Sequence, residues 1–147
     1  MSKINCFDVA KYFLSRVNEE YDERLSNLKL QKLLYYAQGF HLALFNKSLF
    51  NEKIEAWEHG PVVPDIYYEY KRYGARGIPT PGNIDFDKYD NKTTELLDEI
   101  YDVFGQFSAW KLRNFTHAEP PWIKAMKSKS KVIIKKSMKE YFKKRIK

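Results

Sequence analysis

Ser26 to Asn46, "SNLKLQKLLYYAQGFHLALFN", decides the fold class. Leu30, Leu33, Leu34, Ala37, Phe40 and Leu44 recur at three- and four-residue spacing and form one wide helical stripe. Ser26 is placed to cap the first turn, and Asn46 tolerates the left-handed backbone that closes a helix. This is the longest and most apolar helix in the chain, so it is expected at the centre of the fold. Gly39 within it costs ~1 kcal/mol relative to alanine, which suggests that a neighbouring element comes close at that point.

On the N-terminal side, "NCFDVAKYFLSRV" places Asn5 as a cap with Asp8 three residues on, followed by Phe7, Ala10, Phe13, Leu14 and Val17 at helical spacing. On the C-terminal side, "KSLFNEKIEAWEHG" carries no helical stripe. Ile54, Ala56 and Glu58 alternate with Glu55, Trp57 and His59, the pattern of a short strand ending at Gly60. Pro61 and Pro64 then lead into a third helix over about residues 65–73, closed by Gly74. "ARGIPTPGNIDFDKYD" is dense in chain breakers and reads as an irregular loop. Asp90 or Asn91 caps a fourth helix with Leu96, Leu97, Ile100, Val103, Phe104 and Phe107 on one face, and Ser108 opens a short helix through "AWKLRNF". In "THAEPPWIKAM", Thr116 and Glu119 have capping-box spacing and two prolines precede Trp122, predicting a further helix start. "KVIIKKSMKEYFKKRIK" predicts an extended "VII" and then a basic helix over about 137–147, with Ser137 and Glu140 as its capping box. The expected fold is therefore mainly α: one compact domain over residues 1–147, with about six helices and a small β element built from the segment before Gly60 and from "VII".

Composition supports a chain that folds alone. At 147 residues, with 44% hydrophobic and 16% aromatic content, it can bury one core without disulfides or metal. The single cysteine, Cys6, lies in an apolar run and is expected to be a buried thiol. No apolar run approaches the ~20 residues of a membrane span, and "MSKINC" has no signal-peptide core, so a cytoplasmic location is expected. The net charge of +7 is unevenly spread: Lys124 to Lys147 holds 11 of the 26 basic residues and one acid, while the preceding body is mildly acidic.

Candidate chemistry is sparse. His41, His59 and His117 are the only histidines, and a metal site would have to gather them from separate elements with help from Glu58, Asp65 or Glu119; neither HExxH nor CxxC spacing occurs. Glu58 and His59 are adjacent on an extended segment, where neighbouring side chains face opposite ways, which argues against an acid–base pair. There is no nucleophile elbow and no phosphate-cradling glycine loop, so neither catalysis nor a cofactor is expected. Lys135, Lys136, Lys139, Lys143 and Lys144 could attract phosphate or an acidic protein, but Arg145 is the only arginine in that stretch, which argues against base-specific reading of DNA. Trp57 and Val62 read either as core residues or as anchors. Trp57, Tyr67, Tyr68 and Tyr70 gather around one loop-to-helix junction, a composition suited to binding.

Three strings, "LQKLLYYAQGFHLALFNKSLF", "EAWEHGPVVPDIYYEYKRYG" and "THAEPPWIKA", followed by the "VII…MKEYF" ending, together resemble the SocA-like Panacea domain, also found in phage-associated proteins. The matching positions are Lys32, Tyr35, Ala56, Trp57, Gly60, Pro61, Val62, Thr116, His117, Pro121 and Trp122. The resemblance implies an antitoxin of a bacterial or prophage toxin–antitoxin pair, which neutralises by direct contact a toxin encoded by a neighbouring gene. It also implies an alternative in which the protein is an adaptor that presents the toxin to an AAA+ protease. It carries no catalytic residues. On this reading Trp57, Glu58, His59, Val62, Tyr67, Tyr68, His117 and Trp122 are expected to converge on one toxin-binding surface.

Overall fold

The computed structural model describes residues 4–146. Helix α1 spans Cys6–Ser15, α2 Asn27–Phe45, α3 Pro64–Tyr70, α4 Asn91–Phe104, α5 Ala109–His117, α6 Pro120–Met126 and α7 Lys135–Lys143. Strands β1 (Glu55–Trp57) and β2 (Gly60–Val62) form an antiparallel hairpin, with Ala56 opposite Pro61. This matches the mainly α expectation, with seven α-helices and a small β element among the described residues. The local caps form where the sequence places them. Asn5 and Asp8 make a reciprocal capping box, Ser26, Asp90 and Ser108 each accept a backbone N–H of the first turn, and Asn46 closes α2 at φ 58°.

Helix α2 is the central element, and most of its residues are buried on all sides. Gly39 is where α7 crosses it: a methyl group built there would overlap the ring of the fully buried Phe142. The basic C-terminal segment is thus a structural helix that contributes Met138 and Phe142 to the core, with its lysines outside. Two expectations about this region are corrected. α7 begins at Lys135 with no side-chain cap, so Ser137 and Glu140 do not form a capping box. Leu44, assigned to the apolar stripe of α2, is exposed.

The α2 side chains that interrupt the apolar stripe also shape the fold. Buried backbone groups outside regular ladders need partners, and three buried polar residues of α2 supply them. Gln38 accepts from Leu49 N at 2.7 Å and donates to Phe50 O at 2.8 Å. Lys32 Nζ donates to Pro61 O at 3.1 Å, and Gln31 Oε1 accepts from Val63 N at 2.7 Å. The hairpin is thereby fixed onto α2. Its other edge is covered by the "VII" segment: Ile133 N donates to Ile54 O, Ala56 N donates to Lys131 O, and Val132 bridges Glu55.

The Thr116–Glu119 capping box is also absent. Thr116 lies inside α5, and its hydroxyl donates to Arg113 O. Glu119 precedes α6, and its carboxylate turns into the core, accepting from the Tyr35 and Tyr36 hydroxyls at 2.9 Å each and from Arg145 Nη1 at 3.3 Å. Burial raises the Glu119 pKa, against the lowering effect of these hydrogen bonds. No helix among the described residues is long and apolar enough to cross a membrane.

A candidate interaction face at the hairpin

The "EAWEHGPVVP" string folds as the hairpin followed by the entry to α3. Glu58 and His59 form the two-residue turn with negative φ, and the positive φ falls on Gly60 at 110°. Gly60 is required twice over: the backbone conformation disfavours a side chain, and a Cβ there would sit 2.6 Å from Lys32 Cε and 2.8 Å from Thr116 Oγ1. Because Glu58 and His59 occupy a turn rather than a strand, the expected divergence of their side chains does not hold. His59 Nε2 stands 3.7 Å from a Glu58 carboxylate oxygen. Arg113 Nε donates to His59 Nδ1 at 3.2 Å.

Trp57 is half-buried and held at both ends. Its Nε1 donates to Glu55 Oε1 at 3.0 Å, while its carbonyl accepts from Trp122 Nε1 at 2.9 Å. The hydrogen bond from Trp57 is the main cause of the lowered Glu55 pKa. Tyr67 packs edge-on to Trp57 with centroids 4.9 Å apart, and Tyr68 stands 6.4 Å from the same ring and 64% exposed. His117 stacks on Trp122 at 4.0 Å and 9°. Its buried Nε2 has no hydrogen-bond partner among the described residues, and burial, followed by the Arg113 charge, lowers its pKa.

Seven of the eight residues expected at one surface meet around this hairpin with some exposure: Glu58, His59 and Tyr68 are exposed, and Trp57, Tyr67, His117 and Trp122 are half-buried. Val62 is different. It is buried, 4% exposed, and lines an open cleft of ≈ 360 Å³ together with Leu28, Gln31, Trp57, His59 and Tyr67. The sequence reading missed Trp110 and Arg113. Trp110 is 55% exposed, with the Arg113 guanidinium 4.3 Å above its ring and His59 at 5.9 Å. The usable signal was the Ser108 cap, which turns Leu112 inward and leaves Trp110 outside.

Beneath the hairpin, Lys32 is fully buried without a carboxylate partner among the described residues. Desolvation, with a smaller contribution from Arg113, pushes its amine down to about 7. Of the five tail lysines, Lys135, Lys136, Lys143 and Lys144 are exposed on or beside α7, and Lys139 is half-buried. His41, the third histidine, bonds Lys47 O through Nδ1, away from the hairpin. The potential metal ligands that do gather among the described residues are Cys6, Glu52 and Asp65, within 4.8 Å of one another. Burial raises the Cys6 pKa far above its ordinary value, which disfavours the thiolate that a metal needs.

Residues 30–123 match the family described as "Antitoxin SocA-like, Panacea domain". A curated relative, Antitoxin SocA of Caulobacter vibrioides (strain NA1000 / CB15N), is 44% identical over 112 residues, covering 69% of this chain and 60% of the relative. The chain therefore spans less than two thirds of that relative's length. No solved structure gives a significant match. With the family match extending from α2 through the hairpin to α6, the chain belongs to the SocA-like Panacea family.

Proposed function

We infer that this protein is an antitoxin and that its hairpin–α3 face docks a protein toxin encoded by a neighbouring gene, blocking the toxin by direct contact. The observation that carries this reading is a group of exposed aromatics on a rigid support. Tyr68 and Trp110 are both more than half exposed, Tyr68 beside Trp57 and Trp110 beside His59, two residues that line the cleft. Trp57 itself is fixed by hydrogen bonds through its indole nitrogen and its carbonyl. Aromatic anchors with little side-chain entropy left to lose are the residues that dominate protein interfaces. The role is one of binding rather than catalysis, and acting on a toxin made in the same cell places the protein in the cytoplasm.

Co-expression with the neighbouring gene tests this. Growth rescue together with a co-purified complex is the expected result, and a non-toxic neighbour overturns the reading. Rescue without a stable complex supports the adaptor alternative, delivery to an AAA+ protease, for which the family resemblance is the sole support. Nucleic-acid binding through the α7 lysines would instead show as a steep loss of DNA affinity with salt.

A further inference from the structure

A second surface lies on the far side of α5, where α2, α4 and the residues following α7 enclose a groove. Phe40, Leu44, Leu96, Ile100, Val103 and Phe104 line one cleft of ≈ 340 Å³. Val103, Phe104 and Arg145 are shared with an adjoining cleft of ≈ 590 Å³ that continues to Phe107 and Phe115. Leu44 and Val103, one from each wall, are both 45% exposed. Two aliphatic side chains open to water along a shared groove mark an unfilled apolar face rather than scattered surface residues.

Arg145 stands where the two clefts meet. Its guanidinium lies 5.7–6.0 Å from the centroids of Tyr36, Phe40, Phe104, Tyr141 and Phe142. These rings hold it in place without neutralising it. Its one carboxylate contact among the described residues, Nη1 to Glu119 at 3.3 Å, is long for a charge-assisted bond, and its side chain remains 37% exposed. Most of its five N–H donors have no hydrogen-bond partner among the described residues. Around the groove Arg145 and Lys111 are the lining cations and Glu99 and the buried Glu119 the lining acids, while Lys143 and Lys144, next to Arg145 in the chain, are exposed.

We propose that the α2–α4 groove is a second docking site, whose occupant is an acidic amphipathic helix of a protein partner: apolar side chains fill the clefts and a carboxylate pairs with Arg145. Leu96 to Phe104 spans about 12 Å of helix axis at 1.5 Å per residue, and the adjoining cleft extends the groove beyond that. A helix of about three turns with apolar residues at i, i+3, i+4 and i+7 fits this length. The apolar walls between the cations suit such a helix better than a nucleic-acid backbone, which needs phosphate contacts along its length. The site does not depend on the toxin-docking role of the hairpin, since the two faces lie on opposite sides of α5.

The test uses the full chain and a fluorescein-labelled 16-residue peptide of leucine, glutamate and alanine with that apolar spacing, alongside a control peptide in which lysine replaces every glutamate. Fluorescence anisotropy is expected to show the acidic peptide binding at least tenfold tighter than the basic one. Val103→Glu and Leu44→Glu, both at exposed positions, should abolish that binding with an unchanged circular dichroism spectrum. Arg145→Gln should weaken it about tenfold, and the Tyr68→Ser, Trp110→Ser double variant should leave it intact. Equal binding of the two peptides, no binding of either, or indifference to Val103→Glu would overturn the proposal. So would a dimer in sedimentation that Val103→Glu dissociates, which would make the groove a contact between copies of this chain, or displacement of the peptide by duplex DNA.

Discussion

Replacing Lys32 with methionine probes how the hairpin is attached to α2. In the folded protein the Lys32 amine is fully buried, donates to Pro61 O, and titrates at about 7 rather than 10.5. A basic group whose folded pKa is depressed binds its proton more readily in the unfolded chain. Between pH 7 and pH 10.5 unfolding therefore takes up a proton, and the folded state gains stability as pH rises. Below pH 7 both states carry the proton and the dependence vanishes. At 1.36 kcal/mol per pKa unit, the gain from pH 7 to pH 9 is about 2 kcal/mol, to order of magnitude. Methionine preserves the bulk and removes the titration, but leaves Pro61 O without its donor, a cost of about 1–3 kcal/mol. Urea unfolding of both proteins at pH 7, 8 and 9 isolates the effect, because Cys6, whose raised pKa erodes stability as pH climbs through its unfolded value, contributes equally to each. Wild type should gain about 2 kcal/mol over Lys32→Met across that range. A difference that stays flat, or that shrinks with pH, would mean that Lys32 is charged and compensated, and would refute the desolvation argument.

Gly39→Ala should lower stability by about 1–3 kcal/mol through overpacking against Phe142, read as a fall in melting temperature; an unchanged value would show that α7 can shift without cost. Phe142→Ala, which empties the same contact, should cost about 3–5 kcal/mol by urea unfolding. Gly60→Ala combines an unfavourable φ with a clash on Lys32 and Thr116, and is expected to yield less soluble protein with a reduced melting temperature. Neutralising Lys135, Lys136, Lys143 and Lys144 to glutamine should leave stability within about 0.5 kcal/mol of wild type, since all four are exposed. Deleting residues 136–147 removes Met138 and Phe142 and should unfold the protein.

Caps at Asn5, Ser26, Asp90 and Ser108 were legible because each is a contact over three residues, decided by the identity of one polar side chain. The same spacing misled at Thr116 and Glu119. There a tertiary demand won, as the Tyr35 and Tyr36 hydroxyls, more than 80 positions away in the chain, take the Glu119 carboxylate. At Ser137 the competing influence was Ile133, whose pairing with Ile54 lets the helix begin at Lys135. Hydrophobic periodicity found α2 but not the purpose of Gln31, Lys32 and Gln38, because their partners are backbone groups of segments that local pattern cannot position. The convergence of the hairpin with Trp122 and His117 was anticipated from the motif strings. Trp110 and Arg113 were not, since their place beside His59 depends on how α5 docks against the hairpin. Leu44 fits the apolar stripe, yet no element among the described residues covers it.

The central claim is that the hairpin–α3 face binds a toxin, and its most direct test is co-purification of the tagged protein with the product of its neighbouring gene, comparing wild type with the Tyr68→Ser, Trp110→Ser double variant. Both side chains are more than half exposed, so the variant should keep the wild-type melting temperature. The account predicts that this folded variant loses the complex and fails to rescue growth. A folded variant that still co-purifies with the toxin and still rescues growth would contradict it.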